Sequence, residues 1–233
     1  ITYGKLDADW SILKVEKKNY NNIVYIKNKK SVYSFISPIF AKYQLENILC
    51  SIIIAKKYGI TLKNIFKNLQ SIPSPPGRLK KIINHKAKSN IFIDYAHTPI
   101  ALEKSLLELK NIKSKKGKLI ILFGCGGDRD KGKRRLMAKV AKKYADTVFI
   151  TDDNPRFEDA SNIRKEIIAH CKGAKNIANR KNAILKAINQ MHVEDILLIA
   201  GKGHEKYQEI KGRKFFFDDT KIAKEALIMK AKK

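Results

Sequence analysis

The sequence predicts an α/β protein: a doubly wound, mostly parallel sheet preceded by a smaller strand-and-helix unit. Three observations carry this. From about residue 79 onward, short β-branched and aromatic runs alternate with amphipathic helical runs at the spacing of βαβ units. Four of the strand runs end in loops rich in glycine or fixed charge, the place where open parallel sheets bind ligands. Ser71-Ile-Pro-Ser-Pro-Pro-Gly-Arg78 packs three prolines and a glycine into one short stretch, which marks a stiff linker and a domain boundary.

Ahead of that linker, Trp10-Ser-Ile-Leu-Lys-Val15, Ile23-Val-Tyr-Ile26 and Ser31-Val-Tyr-Ser-Phe35 alternate apolar with polar side chains, with Asn-rich turns between them. They read as strands of a mixed sheet. Tyr43–Tyr58 carries Leu45, Ile48, Leu49, Ile52, Ile53 and Ile54, the pattern of a helix buried on most of its circumference, with Gly59 as its C-cap. Leu62–Leu69 is a second, shorter helix. Beyond the linker, strands Leu79–Ile83 and Ile91–Asp94 lead into helix Pro99–Leu109. Strand Leu119–Phe123 precedes helix Gly132–Tyr144, and strand Thr147–Thr151 precedes helix Ala160–His170. A short strand Asn176–Ala178 precedes helix Asn182–Gln190, and strand Ile196–Ala200 follows. A final strand, Lys214–Phe217, leads to helix Thr220–Lys230. The regular alternation makes this second region a Rossmann-like domain.

Composition removes several classes of function. With 233 residues, 44% of them hydrophobic and 9% aromatic, the chain can bury a core and is not a disordered protein. No apolar run approaches the ~20 residues that span a bilayer. Ile1-Thr-Tyr-Gly4 has neither a basic n-region nor an apolar h-region, so it does not read as a signal peptide; it opens inside a β-rich region, as a piece of a longer protein would. Cys50, Cys125 and Cys171 are odd in number and form no CxxC pair, which points to a reducing compartment, the cytoplasm, and away from disulfides or structural zinc. The net charge of +27 suggests a polyanion partner at first sight, and a non-catalytic basic module for nucleic acid is the competing reading. Yet 41 of the 49 basic residues are lysines scattered along every helix, whereas nucleic-acid readers favour arginine. That favours compositional drift over a binding face.

The four loops carry the candidate chemistry. In Asp94-Tyr-Ala-His-Thr-Pro99, Thr98 and Pro99 form a helix start, while Asp94 could bond a ribose hydroxyl and His97 could meet a base or phosphate. Gly124-Cys-Gly-Gly-Asp-Arg-Asp-Lys-Gly-Lys-Arg134 has glycines that would let backbone N–H groups approach an anion, or simply turn the chain. It is not a P-loop, since GxxxxGK[ST] occurs nowhere in the sequence. Cys125 has no partner base that would make it a nucleophile. Asp153-Asn-Pro-Arg156 places acceptors for an ammonium beside a guanidinium that can grip a carboxylate, a combination that suits a zwitterion. Gly201-Lys-Gly-His-Glu205 permits close approach and adds Glu205 as an acceptor. His204 lacks the partner spacing of a metal ligand.

These four motifs, in this order and spacing, resemble the Mur ligases, and specifically the branch that adds diaminopimelate. The resemblance covers nearly the whole chain: residues 1–73 are similar to the end of the family's central ATP-binding domain, and 77–233 to its C-terminal domain. It implies an ATP-dependent, ADP-forming amide ligase of peptidoglycan synthesis. ATP would phosphorylate the D-glutamyl carboxylate of UDP-N-acetylmuramoyl-L-alanyl-D-glutamate, and the amine of meso-diaminopimelate would attack the acyl phosphate. By position, Arg129, Asp153, Asn154, Pro155, Arg156, Gly201 and Glu205 are implied to bind diaminopimelate, with Arg156 on its distal carboxylate. Asn47 is implied at the adenine, Arg78 and Asp94 near the ATP phosphates and ribose, and His97 in the same nucleotide-facing loop. The family's P-loop, magnesium ligands and carbamylated lysine are not in this sequence, so no catalytic residue and no metal ligand is assigned. Lys80 stands where an acidic residue is usual, and Tyr43-Gln44 where Phe-Asn is usual. The family implies a monomer.

Overall fold

The computed structural model describes residues 1–4, 7–18, 21–82 and 90–231. The chain forms two compact units, Ile1–Pro75 and Pro76–Lys233, which divide inside the proline-rich stretch.

In the first unit, β1 (Tyr3–Gly4), β2 (Trp10–Lys18), β3 (Asn21–Asn28) and β4 (Ser31–Ser37) form a four-stranded sheet in that order. β1 runs parallel to β2 and the other pairs are antiparallel, with a bulge between Ile12 and Lys14. The period of two is plain in β3, where Asn22, Val24 and Ile26 turn inward between less buried neighbours. Against this face lie α1 (Leu45–Lys57), entered through a single 3₁₀ turn at Lys42–Gln44, and α2 (Leu62–Leu69). Trp10, Val24, Ile26, Phe35, Leu49, Ile52, Ile65 and Leu69 share one core, and Phe35 stacks on Phe66 with ring centroids 5.3 Å apart. Ile54 corrects the expected burial of α1: it is 52% exposed, so the helix buries one stripe rather than most of its circumference. The left-handed Gly59 (φ 88°) ends α1 as expected, and Thr61 caps α2 by accepting from the Asn64 N–H.

The second unit is built on a six-stranded sheet. Its strands are β5 (Lys80–Ile82), β6 (Asn90–Asp94), β7 (Leu119–Phe123), β8 (Thr147–Ile150), β9 (Lys175–Asn176) and β10 (Ile196–Ala200). Their spatial order is β5-β6-β10-β7-β8-β9, all parallel except the edge strand β5. Ile83, at the end of the expected first strand, lies outside the described residues. Every residue of β7 and β10 is buried, as expected of strands covered on both faces. The crossovers that step outward from β6 to β9 use α3 (Pro99–Lys110), α4 (Gly132–Tyr144) and α5 (Ala160–Ala169), which pack side by side. The return from β9 to β10 uses α6 (Arg180–Gln190), which packs with the terminal helix α7 (Asp219–Lys230). Reversing direction while keeping right-handed crossovers requires the helices to change faces, and the chain does so around β10 and β7. That makes the carboxyl ends of these two strands the topological switch point.

The largest departure from the sequence reading is the expected last strand. Instead of joining the main sheet, it is half of a hairpin, β11 (Tyr207–Ile210) paired antiparallel with β12 (Arg213–Phe216). Lys211 and Gly212 both have positive φ (48° and 73°), the signature of a two-residue turn that matches the twist of its strands.

A candidate ligand site at the switch point

The loops after β6, β7, β8 and β10 meet at one edge of the second unit. Glycine makes this possible by close approach. A Cβ on Gly124 would lie 2.2 Å from Thr151 O, one on Gly127 2.0 Å from Pro155 O, and one on Gly203 2.7 Å from Tyr95 Cβ. Of the two readings of the Gly124–Gly127 loop, an anion cradle or a plain turn, the geometry favours a packing role. Its glycines let the β8 loop lie directly on it, and the Gly127 N–H donates to Asn154 O at 2.9 Å. Two further N–H groups of this segment are used internally: Asp128 N–H donates to Glu158 Oε1 (2.6 Å), and Gly132 N–H to Asp130 Oδ1 (2.8 Å).

Arg156 sits in the left-handed region at φ 52°, a strained conformation for a side chain with a Cβ. The hairpin holds it there. Its N–H donates to Glu209 O (3.0 Å), its carbonyl accepts from Lys211 N–H (2.7 Å), and Nε pairs with Glu209 Oε2 at 3.2 Å. Nη1 donates to Gly127 O at 2.8 Å, which leaves Nη2 unbonded among the described residues. The guanidinium is thus aimed by two neighbours and retains one donor group for a ligand.

Asp153, Asn154 and Glu205 converge as the motifs implied, but they converge on Lys202, a residue the sequence reading passed over. Lys202 is fully buried, and its ammonium lies 2.9 Å from Asn154 Oδ1, 3.4 Å from Glu205 Oε2 and 3.5 Å from Asp153 Oδ1. Asn154 also accepts from Glu209 N–H (3.0 Å) and donates through Nδ2 to Glu205 Oε2 (3.1 Å). A Cβ on Gly201 (φ 108°) would press on Asp153 Oδ2 at 2.7 Å, so glycine is what admits this carboxylate. Behind the cluster, Arg180 donates from Nε and Nη2 to both oxygens of Asp219 (2.8 and 2.7 Å) and from Nη2 to Ala200 O (3.0 Å). Burial works against the Arg180 cation, and the Asp219 pair outweighs it.

Tyr95 is the second hub. Its hydroxyl donates to Glu205 Oε1 at 3.3 Å, and its ring meets His97 edge-on at 4.6 Å and His204 at 5.1 Å between centroids. The Arg78 guanidinium lies 5.3 Å over the same ring, within cation–π range. Arg78 and His97 are therefore neighbours around the Tyr95 ring, both exposed. Asp94 differs: it is only 2% exposed, accepting from Ser105 Oγ and from the Leu79 and Tyr95 amides. Burial raises its pKa against those bonds. Its carboxylate shapes the loop from within instead of presenting itself to a ribose.

The remaining candidates fall in different places. Arg129 is exposed, with Nη1 on Asp128 O at 3.1 Å. Pro155 is buried and supplies the carbonyl that Gly127 touches. Asn47 lies in the first unit, on an exposed position of α1. Cys125 is buried and its thiol is pushed up to about 12 by desolvation, which disqualifies it as a nucleophile at neutral pH. The three cysteines are free. Four of the eight arginines, Arg134, Arg156, Arg164 and Arg180, are held in ion pairs, so the charge of +27 builds no arginine-lined groove from them. Among the described residues, no helix is long and apolar enough to cross a membrane, and no three His, Cys, Asp or Glu side chains gather as metal ligands.

Fold and site together define a doubly wound α/β domain whose switch point carries a mixed-charge side-chain cluster. Comparison with known proteins gives the class a name: the family model "Mur ligase, glutamate ligase domain" matches residues 77–203, and the chain belongs to the Mur ligase family. It is 44% identical over 230 residues to UDP-N-acetylmuramoyl-L-alanyl-D-glutamate–2,6-diaminopimelate ligase of Rickettsia rickettsii, covering 97% of this chain and 47% of that protein. A solved structure of a ligase of the same name matches with a TM-score of 0.68 at 33% identity, over 97% of this chain and 47% of that one. The MurF ligase of Thermotoga maritima in complex with ADP shares the fold, with a TM-score of 0.66 at 16% identity over 99% and 48% of the two chains. The chain spans about half the length of the relatives it matches.

Proposed function

We propose that this chain is part of a cytoplasmic, monomeric ATP-dependent ligase that joins meso-diaminopimelate to UDP-N-acetylmuramoyl-L-alanyl-D-glutamate in peptidoglycan synthesis. It holds the amino-acid site and part of the ATP site. The observation that carries this reading is Arg156, fixed by Glu209 and Gly127 with Nη2 left for a carboxylate, beside a cluster with acceptors for an ammonium.

Charge supports the same ligand. Asp153 and Glu205 contribute two negative charges and Lys202 cancels one, while Arg180 and Asp219 cancel each other. One negative charge remains, matched to one ammonium. Arg156 takes the distal carboxylate as a charge-assisted pair, and exposed Arg129 offers a second guanidinium. Gly201 admits the Asp153 carboxylate and the Pro155 carbonyl rests on Gly127, which sets the loops that frame the ligand. On the other side of Tyr95, Arg78 and His97 face the nucleotide, with Asp94 holding their loop. In the reaction, ATP passes its γ-phosphoryl group to the D-glutamyl carboxylate and leaves as ADP, and an amine of bound meso-diaminopimelate, once its ammonium has lost a proton, attacks the acyl carbon and expels phosphate. The residues here bind and orient that amine. Magnesium would accompany the ATP phosphates, and no residue of this chain is assigned to it.

Calorimetry of the protein with meso-diaminopimelate beside L-lysine tests the reading. Meso-diaminopimelate should bind and L-lysine, without the distal carboxylate, should bind weakly. Arg156→Ala should cost meso-diaminopimelate ~1.5–3 kcal/mol and leave L-lysine unchanged. Equal binding of the two amino acids, or none, overturns the assignment.

A further inference from the structure

We infer that Lys202 is a positioning residue for the amino-acid site: its buried ammonium is the internal counter-ion that locks the Asp153–Arg156 loop onto the Gly201–Glu205 loop. The inference rests on the proposed ligand only for its specificity arm.

The geometry sets Lys202 apart from the other lysines. A lysine pays a large desolvation cost when buried, so it is found there only with partners that repay it. Lys202 has no exposed surface and three oxygen partners, two on the β8 loop and one three residues along its own loop. Its ammonium also lies 5.5 Å from the Tyr207 ring, at the start of the hairpin. Two of the partners lead outward to residues with a proposed ligand role. Asn154 Oδ1, oriented by the ammonium, also accepts from Glu209 N–H, and the Glu209 carboxylate in turn aims Arg156. Glu205 Oε2 receives both Lys202 and Asn154 Nδ2, so its other oxygen is left to Tyr95 and the cleft.

Without the cation, the charge set against Asp153 and Glu205 is that of Arg180 behind them, which is already bidentate on Asp219. Asn154 then has one bond fewer fixing its amide, and the link from Asn154 to Glu209 to Arg156 slackens. The spacing between the ammonium acceptors and the Arg156 fork is what separates an amino acid with a distal carboxylate from one without. Lys202 therefore governs selectivity without reaching the ligand. The extra negative charge left by its removal acts in the same direction, favouring L-lysine, with its net positive charge, over meso-diaminopimelate.

Lys202→Met keeps the buried stem and removes the charge; Lys202→Gln, which keeps a neutral donor, serves if the first variant does not fold. Amide hydrogen exchange on the ligand-free protein reads the positioning directly. The Glu209 and Gly127 amides, which donate to Asn154, should exchange at least tenfold faster, while those of Leu198 and Ile121 in the central strands stay unchanged. By calorimetry, the ratio of meso-diaminopimelate to L-lysine affinity should fall at least tenfold. Unchanged exchange at Glu209 and Gly127 overturns the inference. So does uniform acceleration through the whole unit, or an unaltered affinity ratio, because Lys202 would then be a stability element alone. If the unmodified protein binds neither amino acid selectively, the proposed function falls, and the exchange result alone decides the role of Lys202.

Discussion

The loop that carries Arg129 is fastened by a second buried cation, and removing it should produce a stability loss with a distinctive pH dependence. Arg134 is 1% exposed; Nη2 donates to both oxygens of Glu158 (2.8 and 3.0 Å) and Nη1 to Glu166 Oε2 (2.9 Å). Glu158 in turn accepts from the Asp128 N–H at 2.6 Å, which pins the loop. Breaking a fully buried pair by deleting one partner costs about 3–5 kcal/mol. Here the carboxylates reach water, with side-chain exposures of 18% for Glu158 and 47% for Glu166, so solvent screening reduces the cost of Arg134→Met to about 2–3 kcal/mol. The pH dependence follows from Glu158. The Arg134 bonds hold its pKa at about 2, below the ordinary 4.5. A depressed carboxylate contributes stability that is fully present above its unfolded pKa and lost as pH falls through its folded one. Wild type should therefore lose this contribution between pH 4.5 and 2, and Arg134→Met should lose less of it, because only the Asp128 N–H and Lys131 then hold the Glu158 carboxyl down. Urea unfolding followed at pH 7 and pH 3 measures the difference. A gap of about 2–3 kcal/mol at pH 7 that narrows at pH 3 is expected. An equal gap at both pH values would mean that Arg134 acts through packing, and the electrostatic argument would be refuted.

Two further outcomes follow from burial and backbone geometry. In the folded protein at pH 8, a thiol reagent should modify Cys50, which is partly exposed, while Cys125 and Cys171, both buried with pKa raised by desolvation, react only after unfolding; rapid labelling of Cys125 would contradict its assignment as inert. Gly203→Ala should destabilise the second unit by more than ~1 kcal/mol, since it adds a Cβ 2.7 Å from Tyr95 at φ 55°; a melting temperature equal to wild type would show that the two loops are not in contact.

What the sequence discloses and what it hides divide along physical lines. The strands Leu119–Phe123 and Ile196–Ala200 are readable to the residue because burial on both faces demands an uninterrupted apolar run. The site motifs are readable because glycine, proline and paired charges at strand ends have few structural excuses. The hairpin is hard to see: Tyr207-Gln-Glu-Ile210 is half polar and covers no core. Its one signal is Lys211-Gly212, two residues between short runs with β-forming aromatics, a weaker turn signature than Asn-Gly. Lys202 is hidden for a different reason. Among 41 lysines, one in a glycine loop reads as solvated, and only its placement between Asp153 and Glu205 distinguishes it. The glycines of Gly124–Gly127 are legible as close-approach positions, but the sequence cannot say whether an anion or another loop does the approaching.

The hairpin explains why Arg156 can do more than an ordinary surface arginine. A side chain with a Cβ held at φ 52° carries roughly 1–3 kcal/mol of backbone strain. An unconstrained loop would relax it and swing the guanidinium into solvent. The hairpin prevents this by accepting and donating at Arg156, through Glu209 O of β11 and the N–H of Lys211 in the turn, and by pairing Glu209 with Nε. The turn at Lys211-Gly212 sets the register that places these groups together. Two features that look unrelated in sequence, an Asp-Asn-Pro-Arg loop and a two-residue turn more than fifty residues later, are thus halves of one device. The first supplies the guanidinium, and the second supplies the backbone that keeps it strained and aimed. Pre-aiming is what the proposed selection of a carboxylate by Arg156 requires, because the entropy of fixing its rotamers is then lost on folding and not on binding.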